Sequence, residues 1–393
     1  MRRVILIVMD SVGIGELPDA HLFGDVGSNT LRSVVRANPH IELPHLLRLG
    51  VGKIDGVDYL PKENAVGCYG RAAEVSKGKD TTTGHWEITG VHNLVPFLTY
   101  PNGFPEHVIR EFERRTGRKT VCNRPASGTE IIEELGPHHM KTGELIVYTS
   151  ADSVFQVAAH EEIVPLEELY DCCKIARELL VGDVSVARVI ARPFTGVPGR
   201  FERTANRRDY SVKPPEKTLL DNIKESGLEV KAVGKISDIF DGEGITESVH
   251  TRSNVDGMEK TVLYMSQDFS GIIFTNLVDF DSKYGHRRNP IGYGSALEEF
   301  DRELPKVLNA MKEEDILVIC ADHGNDPCFH GTDHTREYIP ILVYGKNLAS
   351  DVNIGTRGSF SDIGATVAEY LAVPHHGRGE SFLHRVVRDP ARE

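Results

Sequence analysis

The 393-residue sequence predicts an α/β protein with a mostly parallel sheet and helices packed on both of its faces. The prediction rests on short apolar runs rich in β-branched residues, on helical periodicity between some of them, and on polar residues that directly follow several runs. Such runs are too brief for core helices and suit buried parallel strands. The predicted strands are residues 3–9, 145–149, 229–233, 271–278, 315–321 and 339–345.

Two further stretches have the pattern of helices. Residues 295–312 place apolar side chains at helical spacing, and residues 361–371 open with a serine and an aspartate, which suit a helix N-terminus. Strands that alternate with helices favour a sheet covered on both faces rather than an all-β fold.

The middle of the chain has a different pattern. From residue 101 to residue 215 it is broken by prolines and glycines, with a helical stretch at 166–180 and a strand-like stretch at 186–194. We therefore predict a smaller α+β cap domain over residues 101–215. It would be inserted into a discontinuous core domain formed by residues 1–100 and 216–393.

Composition excludes some classes of partner. The formal net charge of −13 argues against nucleic acid, because binding a duplex requires a basic surface. No apolar run reaches the roughly 20 residues that span a bilayer, and the apolar run at 4–9 is too short for a signal-peptide core. We expect a cytoplasmic protein that acts on small molecules, without a membrane partner. The sequence does not fix its oligomeric state.

Acidic residues follow three of the predicted strands. Asp10 follows the first strand, Asp281 follows the strand at 271–278, and Asp322 follows the strand at 315–321. In open α/β sheets, functional residues collect beyond the carboxyl ends of the strands. One aspartate at such a position is weak evidence, but three indicate a site.

Histidines accompany these aspartates. His286 follows Asp281 by five residues, with Gly285 as the expected tight turn, while His323 is adjacent to Asp322 and His334 lies further on. Imidazole and carboxylate ligands suit Mn²⁺, Zn²⁺ or Fe²⁺, and the lack of thiolates disfavours structural zinc. The pattern predicts a two-metal site, which can stabilise both oxygens of a phosphoryl transfer.

The segment GKDTTTGHWE supplies candidate nucleophiles. Thr81, Thr82 and Thr83 are three successive hydroxyls on what we expect to be a loop. A hydroxyl is a poor nucleophile until a metal or a base lowers its pKa. The chemistry of the sequence alone does not separate the three threonines.

Seven motifs in the chain resemble those of bacterial phosphopentomutases, in the metal-dependent mutase branch of the alkaline phosphatase superfamily. The resemblance covers nearly the whole chain. ADHG with a later HT indicates only the superfamily, whereas YTSADS and GKISDIFDGEG narrow it to phosphopentomutase. The motifs are DSVGIGELPDA, GKDTTTGHWE, ASGTEII, YTSADSV, GKISDIFDGEG, NLVDFDSKYGHRR and ADHGNDP with GTDHTREY.

The resemblance implies an alkaline-phosphatase-like fold and a division of the ligands between two Mn²⁺ ions, with other divalent metals as alternatives. One ion would be held by Asp281, His286 and His334. The other would be held by Asp10, Asp322, His323 and Thr81, the residue that is carried as phosphothreonine in the family. A sugar bisphosphate is the implied activator.

The resemblance also implies that the cap binds the sugar phosphate, because arginine can hold two phosphate oxygens at once. The roles of Arg192, Arg207 and Arg208 stay open, since RFERTANRRD is also compatible with a solvated loop. The implied substrate-binding residues are Ser150, Asp152, Arg188, Arg203 and Lys235.

The implied reaction interconverts ribose 1-phosphate and ribose 5-phosphate, and the corresponding 2-deoxyribose phosphates, through a bisphosphate intermediate. Two rivals belong to the same superfamily: a hydrolase, which would admit water to the phosphothreonine, and a phosphoglycerate mutase, which would have a different cap pocket. A third rival is a catalytically silent protein that binds metal or sugar phosphate. The sequence does not decide between ribose and deoxyribose.

Overall fold

The computed structural model describes residues 1–150, 153–375 and 378–388. The chain divides into two compact units, the first formed by Met1–Pro96 and Pro214–Glu393 and the second by Phe97–Lys213. The boundaries drawn from sequence differ from these by a few residues. That the second unit acts as a substrate-binding cap stays a prediction.

The strands in the described residues are numbered in chain order. They are β1 Arg3–Met9, β2 Cys68–Ala72, β3 Thr120–Pro125, β4 Leu145–Thr149, β5 Val154–His160, β6 Arg188–Val197, β7 Arg200–Arg203, β8 Arg208–Ser211, β9 Glu229–Val233, β10 Glu247–Val249, β11 Gly271–Leu277, β12 Asp315–Cys320, β13 Ile339–Tyr344 and β14 Val352–Arg357.

The α-helices in the same residues are numbered in the same way. They are α1 Thr30–Ala37, α2 Pro44–Leu49, α3 Thr81–Ile88, α4 Glu106–Thr116, α5 Gly128–Thr142, α6 Leu166–Leu179, α7 Leu219–Glu225, α8 Ile236–Ile239, α9 Asn254–Met265, α10 Pro290–Ala310, α11 Ser361–Leu371 and α12 Leu383–Val386. None of them combines the length and the apolar character needed to cross a membrane.

The first unit contains an eight-stranded sheet in the order β10-β9-β11-β1-β12-β13-β2-β14. β1 is buried along its whole length and is parallel to both of its neighbours, β11 and β12. The predicted α/β fold with a mostly parallel sheet is thus confirmed. The parallel direction predicted for residues 339–345 is wrong, because β13 is antiparallel to β12 and β2. No crossover helix lies between β12 and β13, and a parallel pair would need one.

The second unit contains a six-stranded mixed sheet in the order β3-β4-β5-β6-β7, with β8 also paired to β6. The strand predicted at 145–149 is β4 of this sheet. It is parallel to β3 but antiparallel to β5, so the prediction of a parallel strand is only half right. One face of this sheet packs against α4 and α6 in an apolar cluster, and α5 contributes to a second cluster.

Two helix predictions are confirmed, one of them with corrected ends. α10 begins at Pro290 rather than at residue 295, because Asn289 caps it by accepting a hydrogen bond from the Gly292 amide. α11 has the predicted bounds, but Phe360 occupies its N-cap position. Asp362, expected at the N-terminal end of this helix, lies in its first turn and accepts a hydrogen bond from Arg357.

A buried ion pair ties the start of β1 to the start of β12. The Arg3 guanidinium donates to both carboxylate oxygens of Asp315, at 2.9 and 2.6 Å, and both side chains are at most 1% exposed. Arg3 also donates to the carbonyl oxygens of Met265 and Gln267. The guanidinium thus satisfies acceptors from β12 and from the end of α9.

We expect Arg3→Ala to lower the free energy of unfolding by about 3–5 kcal/mol, because it leaves the buried Asp315 carboxylate without a charged partner and with the neutral Lys312 amide as a hydrogen-bond donor. Urea unfolding followed by circular dichroism measures the change. The control is Lys312→Ala, which breaks an ion pair with Asp268. The side chains of Lys312 and Asp268 are 42% and 75% exposed, so this variant should lose far less stability. Equal losses in the two variants would contradict this assignment.

Candidate metal centre and active site

The first metal-ligand cluster lies where two adjacent strands end. Val8 of β1 is paired with Cys320 of β12, so the residues that follow, Asp10 and Asp322, lie side by side. His323 completes the group, with its Nε2 atom 3.4 Å from Asp10 Oδ1 and 3.3 Å from Asp322 Oδ2. All three side chains are buried, and their ligand atoms lie within 4.8 Å of one another.

The second cluster is formed by Asp281, His286 and His334, whose ligand atoms also lie within 4.8 Å of one another. Asp281 Oδ2 is 3.1 Å from His286 Nε2, and Asp281 Oδ1 is 3.3 Å from His334 Nε2. The His323 and His334 ring centroids are 4.1 Å apart. The two clusters are therefore neighbours in one site.

The backbone that carries Asp281 differs from the prediction. Residues Phe280–Gly285 form a π-helix after β11, and the turn in which the Gly285 carbonyl oxygen accepts from the Arg288 amide begins where that helix ends. A Cβ atom at Gly285 would lie 2.8 Å from the side chain of Asn325. Glycine is required there because Asn325 packs against it and donates a 2.7 Å hydrogen bond to Asp281 Oδ1. π-helical turns often occur at functional sites.

Buried polar atoms test whether these residues fit metal ions. Asp10 Oδ1 and Asp322 Oδ2 are buried without a hydrogen-bond partner among the described residues. Asp322 Oδ2 lies 3.1 Å from His85 Nδ1, but that nitrogen is directed at the Thr81 carbonyl oxygen, 2.9 Å away. Unsatisfied carboxylate oxygens at this depth are costly, and a cation would satisfy them.

The electrostatics of the two clusters support the same conclusion. Burial and the neighbouring Asp322 carboxylate raise the pKa of Asp10. Burial alone would raise the pKa of Asp281, but His334 and His286 hold it well below its usual value. The Nε2 atoms of those two histidines face each other at 3.0 Å, which requires a proton or a cation between them. With nitrogen and oxygen donors, the residues fit divalent metal ions.

The sequence analysis places Thr81 on a loop, but in the structure it is the first residue of α3. Its Oγ1 atom lies 3.2 Å from His323 Nε2, at the edge of the first cluster. Thr83 Oγ1 instead donates to the carboxylate of Asp80, the N-cap residue. A Cβ atom at Gly84 would lie 2.1 Å from the Asp322 carbonyl oxygen, so glycine allows α3 to approach the metal ligands closely.

Sequence reasoning missed two residues that support the site. His85, one helical turn after Thr81, accepts a hydrogen bond from Asn276 when its proton is on Nδ1, the tautomer that the Thr81 carbonyl favours. Asn276 also donates to Asp10 Oδ2 at 2.8 Å. These contacts link Thr81 to Asp10. An asparagine inside the apolar strand β11 and a histidine four residues after Thr81 were the available signals.

The residues predicted to bind substrate lie in both units of the chain. Lys235, in the first unit, is half-buried and immediately precedes α8. Ser150 follows β4 in the second unit, and Asp152 lies outside the described residues.

The two predicted cap arginines do not contact each other. Arg188 is paired with Ser211 on β8, whereas Arg203 is paired with Phe194, six residues from Arg188 along β6. Arg188 forms a 3.4 Å ion pair with Asp209.

Comparison with known proteins identifies the family. A model of the metalloenzyme superfamily matches residues 2–375. The phosphopentomutase of Clostridioides difficile strain 630 is 59% identical and aligns over 97% of this chain and 99% of its own length. That of Alkaliphilus oremlandii is 57% identical over 99% and 100% of the two chains, and that of Acetivibrio thermocellus 58% identical over 98% and 100%. The chain belongs to the phosphopentomutase family, isomerases of the metalloenzyme superfamily.

Proposed function

We propose that the enzyme interconverts ribose 1-phosphate and ribose 5-phosphate, and the corresponding 2-deoxyribose phosphates, through phosphothreonine at Thr81. The observation that carries this proposal is the position of Thr81 Oγ1, 3.2 Å from His323 Nε2 beside two adjacent metal-ligand clusters. The N-terminal end of α3 adds backbone N–H groups that favour a phosphate on this residue.

In the proposed cycle, phosphorylated Thr81 transfers its phosphoryl group to the free hydroxyl of the incoming sugar monophosphate. The product is a sugar bisphosphate, and Thr81 recovers a free hydroxyl. After the bisphosphate has reoriented, its other phosphoryl group returns to Thr81, and the isomeric monophosphate leaves. A sugar bisphosphate from outside would phosphorylate an enzyme that has lost its phosphate, which accounts for the expected activator.

Two Mn²⁺ ions are proposed as the metals, one with Asp10, Asp322, His323 and Thr81 and the other with Asp281, His286 and His334. When bound, they would neutralise charge on the oxygens of the transferring group. His85 and Asn276 would keep Thr81 and Asp10 in a fixed relative position. The cytoplasmic location expected from the sequence stays a prediction.

In the second unit, Ser150, Asp152, Arg188 and Arg203 are proposed to bind the sugar phosphate. Lys235, a residue of the first unit, is proposed as a further substrate-binding residue. Arg203 is exposed and forms no ion pair within the described residues, so its guanidinium is available to a phosphate. Arg207, in contrast, is held by both carboxylate oxygens of Asp209, at 2.6 Å each. This contrast favours Arg203 over Arg207 as the substrate-binding residue.

Arg203→Ala should raise KM for ribose 5-phosphate by about 10- to 100-fold, the loss expected for a charged hydrogen-bonding group. Steady-state kinetics of the manganese-loaded enzyme measure this change. Arg200→Ala, which removes an exposed arginine at the other end of β7, is the matched control and should leave KM near the wild-type value. Unchanged KM and kcat in Arg203→Ala would remove this residue from the substrate site.

A further inference from the structure

Glu337 carries a buried carboxylate that the proposed mechanism does not use. Its side chain is 1% exposed, and burial of a carboxylate is costly unless its oxygens are satisfied. Oε2 accepts hydrogen bonds from the amides of Gly15 and Thr30, at 3.1 and 2.9 Å. Oε1 accepts from the hydroxyls of Thr30 and Thr335, at 2.8 and 2.6 Å. The carboxylate therefore joins three segments of the first unit that are far apart in sequence.

The directions of the two threonine hydroxyls are fixed by other contacts. Thr30 Oγ1 accepts a hydrogen bond from the Asn325 amide at 3.0 Å, and Thr335 Oγ1 accepts one from the Asp326 amide at 3.1 Å. Each hydroxyl has a single proton, and the carboxylate of Glu337 can only accept, so each hydroxyl directs its proton at Oε1. All four groups around the carboxylate are therefore donors, and a side chain with only one acceptor oxygen cannot satisfy them.

Glu337 packs against the backbone of the segments that carry the first cluster. A Cβ atom at Gly13 would lie 2.4 Å from Glu337 Oε2, and one at Gly324 would lie 2.5 Å from Oε1. Gly13 follows Asp10 by three residues, and Gly324 directly follows His323. The Gly324 carbonyl oxygen accepts a 3.0 Å hydrogen bond from His323 Nδ1, so the proton of this imidazole is on Nδ1 and its Nε2 atom can bind a metal.

The second cluster is connected to the same carboxylate. Thr335, whose hydroxyl donates to the carboxylate, directly follows His334. Asn325, whose amide donates to the Thr30 hydroxyl, uses its side chain to donate a 2.7 Å hydrogen bond to Asp281 Oδ1. One buried side chain is thus linked, through one or two intervening residues, to ligands of both clusters.

We propose that Glu337 is a positioning residue for both metal ions, which it serves by holding in place the segments that carry their ligands. The inference rests on the proposed function, because the two ligand sets are those assigned there. Residues that orient metal ligands without binding the metal typically contribute about 10- to 100-fold to metal affinity. Because one carboxylate supports both sets, its loss should weaken the binding of both ions, whereas loss of a ligand such as Asp322 should affect one.

The test measures manganese binding to the wild type and to Glu337→Gln by equilibrium dialysis over a range of manganese concentrations. Glutamine keeps the size of the side chain but has one acceptor oxygen in place of two, so the affinity for both ions should fall about 10- to 100-fold. The control is Asp301→Asn. The Asp301 carboxylate is also 1% exposed and accepts three hydrogen bonds, from His45 and Leu46, but it lies outside both clusters. This control should lose stability and bind manganese as the wild type does.

Thr335→Val provides a second variant if Glu337→Gln does not fold. Valine has nearly the shape of threonine but lacks the hydroxyl that donates to Oε1, so manganese binding should weaken about tenfold. Unchanged affinity in either variant, weakening of only one ion in Glu337→Gln, or equal weakening in Asp301→Asn would overturn the proposal. A wild-type enzyme that binds fewer than two ions would instead refute the proposed ligand sets, and this failure is recognised before any variant is measured.

Discussion

Replacing Thr81 with alanine should reduce ribose 5-phosphate formation by roughly 10⁴-fold or more, the scale of loss seen when a covalent nucleophile is removed. The reason is structural: Thr81 Oγ1 lies 3.2 Å from His323 Nε2, whereas the Thr83 hydroxyl is engaged by Asp80. Manganese content should stay near that of the wild type, because the two triads of aspartate and histidine are intact. A coupled assay and elemental analysis measure the two quantities.

Thr82→Ala is the matched control, because it deletes the same group one residue along α3. This variant should keep most of the activity. Phosphopeptide mapping of the wild-type enzyme after incubation with a sugar bisphosphate should place the phosphate on Thr81. Full activity in Thr81→Ala would exclude the covalent mechanism through Thr81. A loss of activity confined to Thr82→Ala would identify Thr82 as the nucleophile.

Replacing Asp322 with asparagine should remove one of the two proposed manganese ions and lower turnover severely. Asp322 Oδ1 accepts a hydrogen bond from the Ser11 amide, and asparagine can keep this bond while it loses the charge on the unpartnered Oδ2. The fold should therefore survive. The affinity of this site for manganese should fall by more than roughly 10- to 100-fold, which is the loss typical of residues that only support metal ligands.

Equilibrium dialysis followed by elemental analysis counts the bound ions in this variant. Asp333→Asn is the control, because it removes a carboxylate next to His334 that is 55% exposed and lies outside both triads. That control should keep both ions. An Asp322→Asn enzyme with wild-type metal content would exclude Asp322 from the ligands.

The parts of the fold that could be predicted from sequence are those with a strong local signal. Buried strands such as β1 and β12 are runs of branched apolar residues, and Asp10 and Asp322 follow their ends within two residues. The direction of β13 was missed because its apolar run alone does not indicate a direction. The available signal was the lack of a helical stretch between β12 and β13, which a parallel pair would need. The start of α10 was missed because Asn289 and Pro290 precede the apolar periodicity.

The residues of the candidate site also divide into those with a local signal in the sequence and those without one. Aspartates after strands and nearby histidines indicated the metal ligands, since the parallel sheet brings its strand ends together. The π-helix at Phe280–Gly285 has no local signature, and the need for Gly285 arises from Asn325, forty residues later. His85 escaped notice because its significance depends on the residues that surround it in three dimensions.

The central claim is that the phosphate passes through Thr81 to the sugar and not to water. The most direct test is to supply the manganese-loaded enzyme with ribose 1-phosphate and to measure ribose 5-phosphate and inorganic phosphate in parallel. We predict that ribose 5-phosphate accumulates while phosphate release stays a small fraction of turnover. Phosphate release that matches the consumption of ribose 1-phosphate would contradict the mutase mechanism and identify a hydrolase.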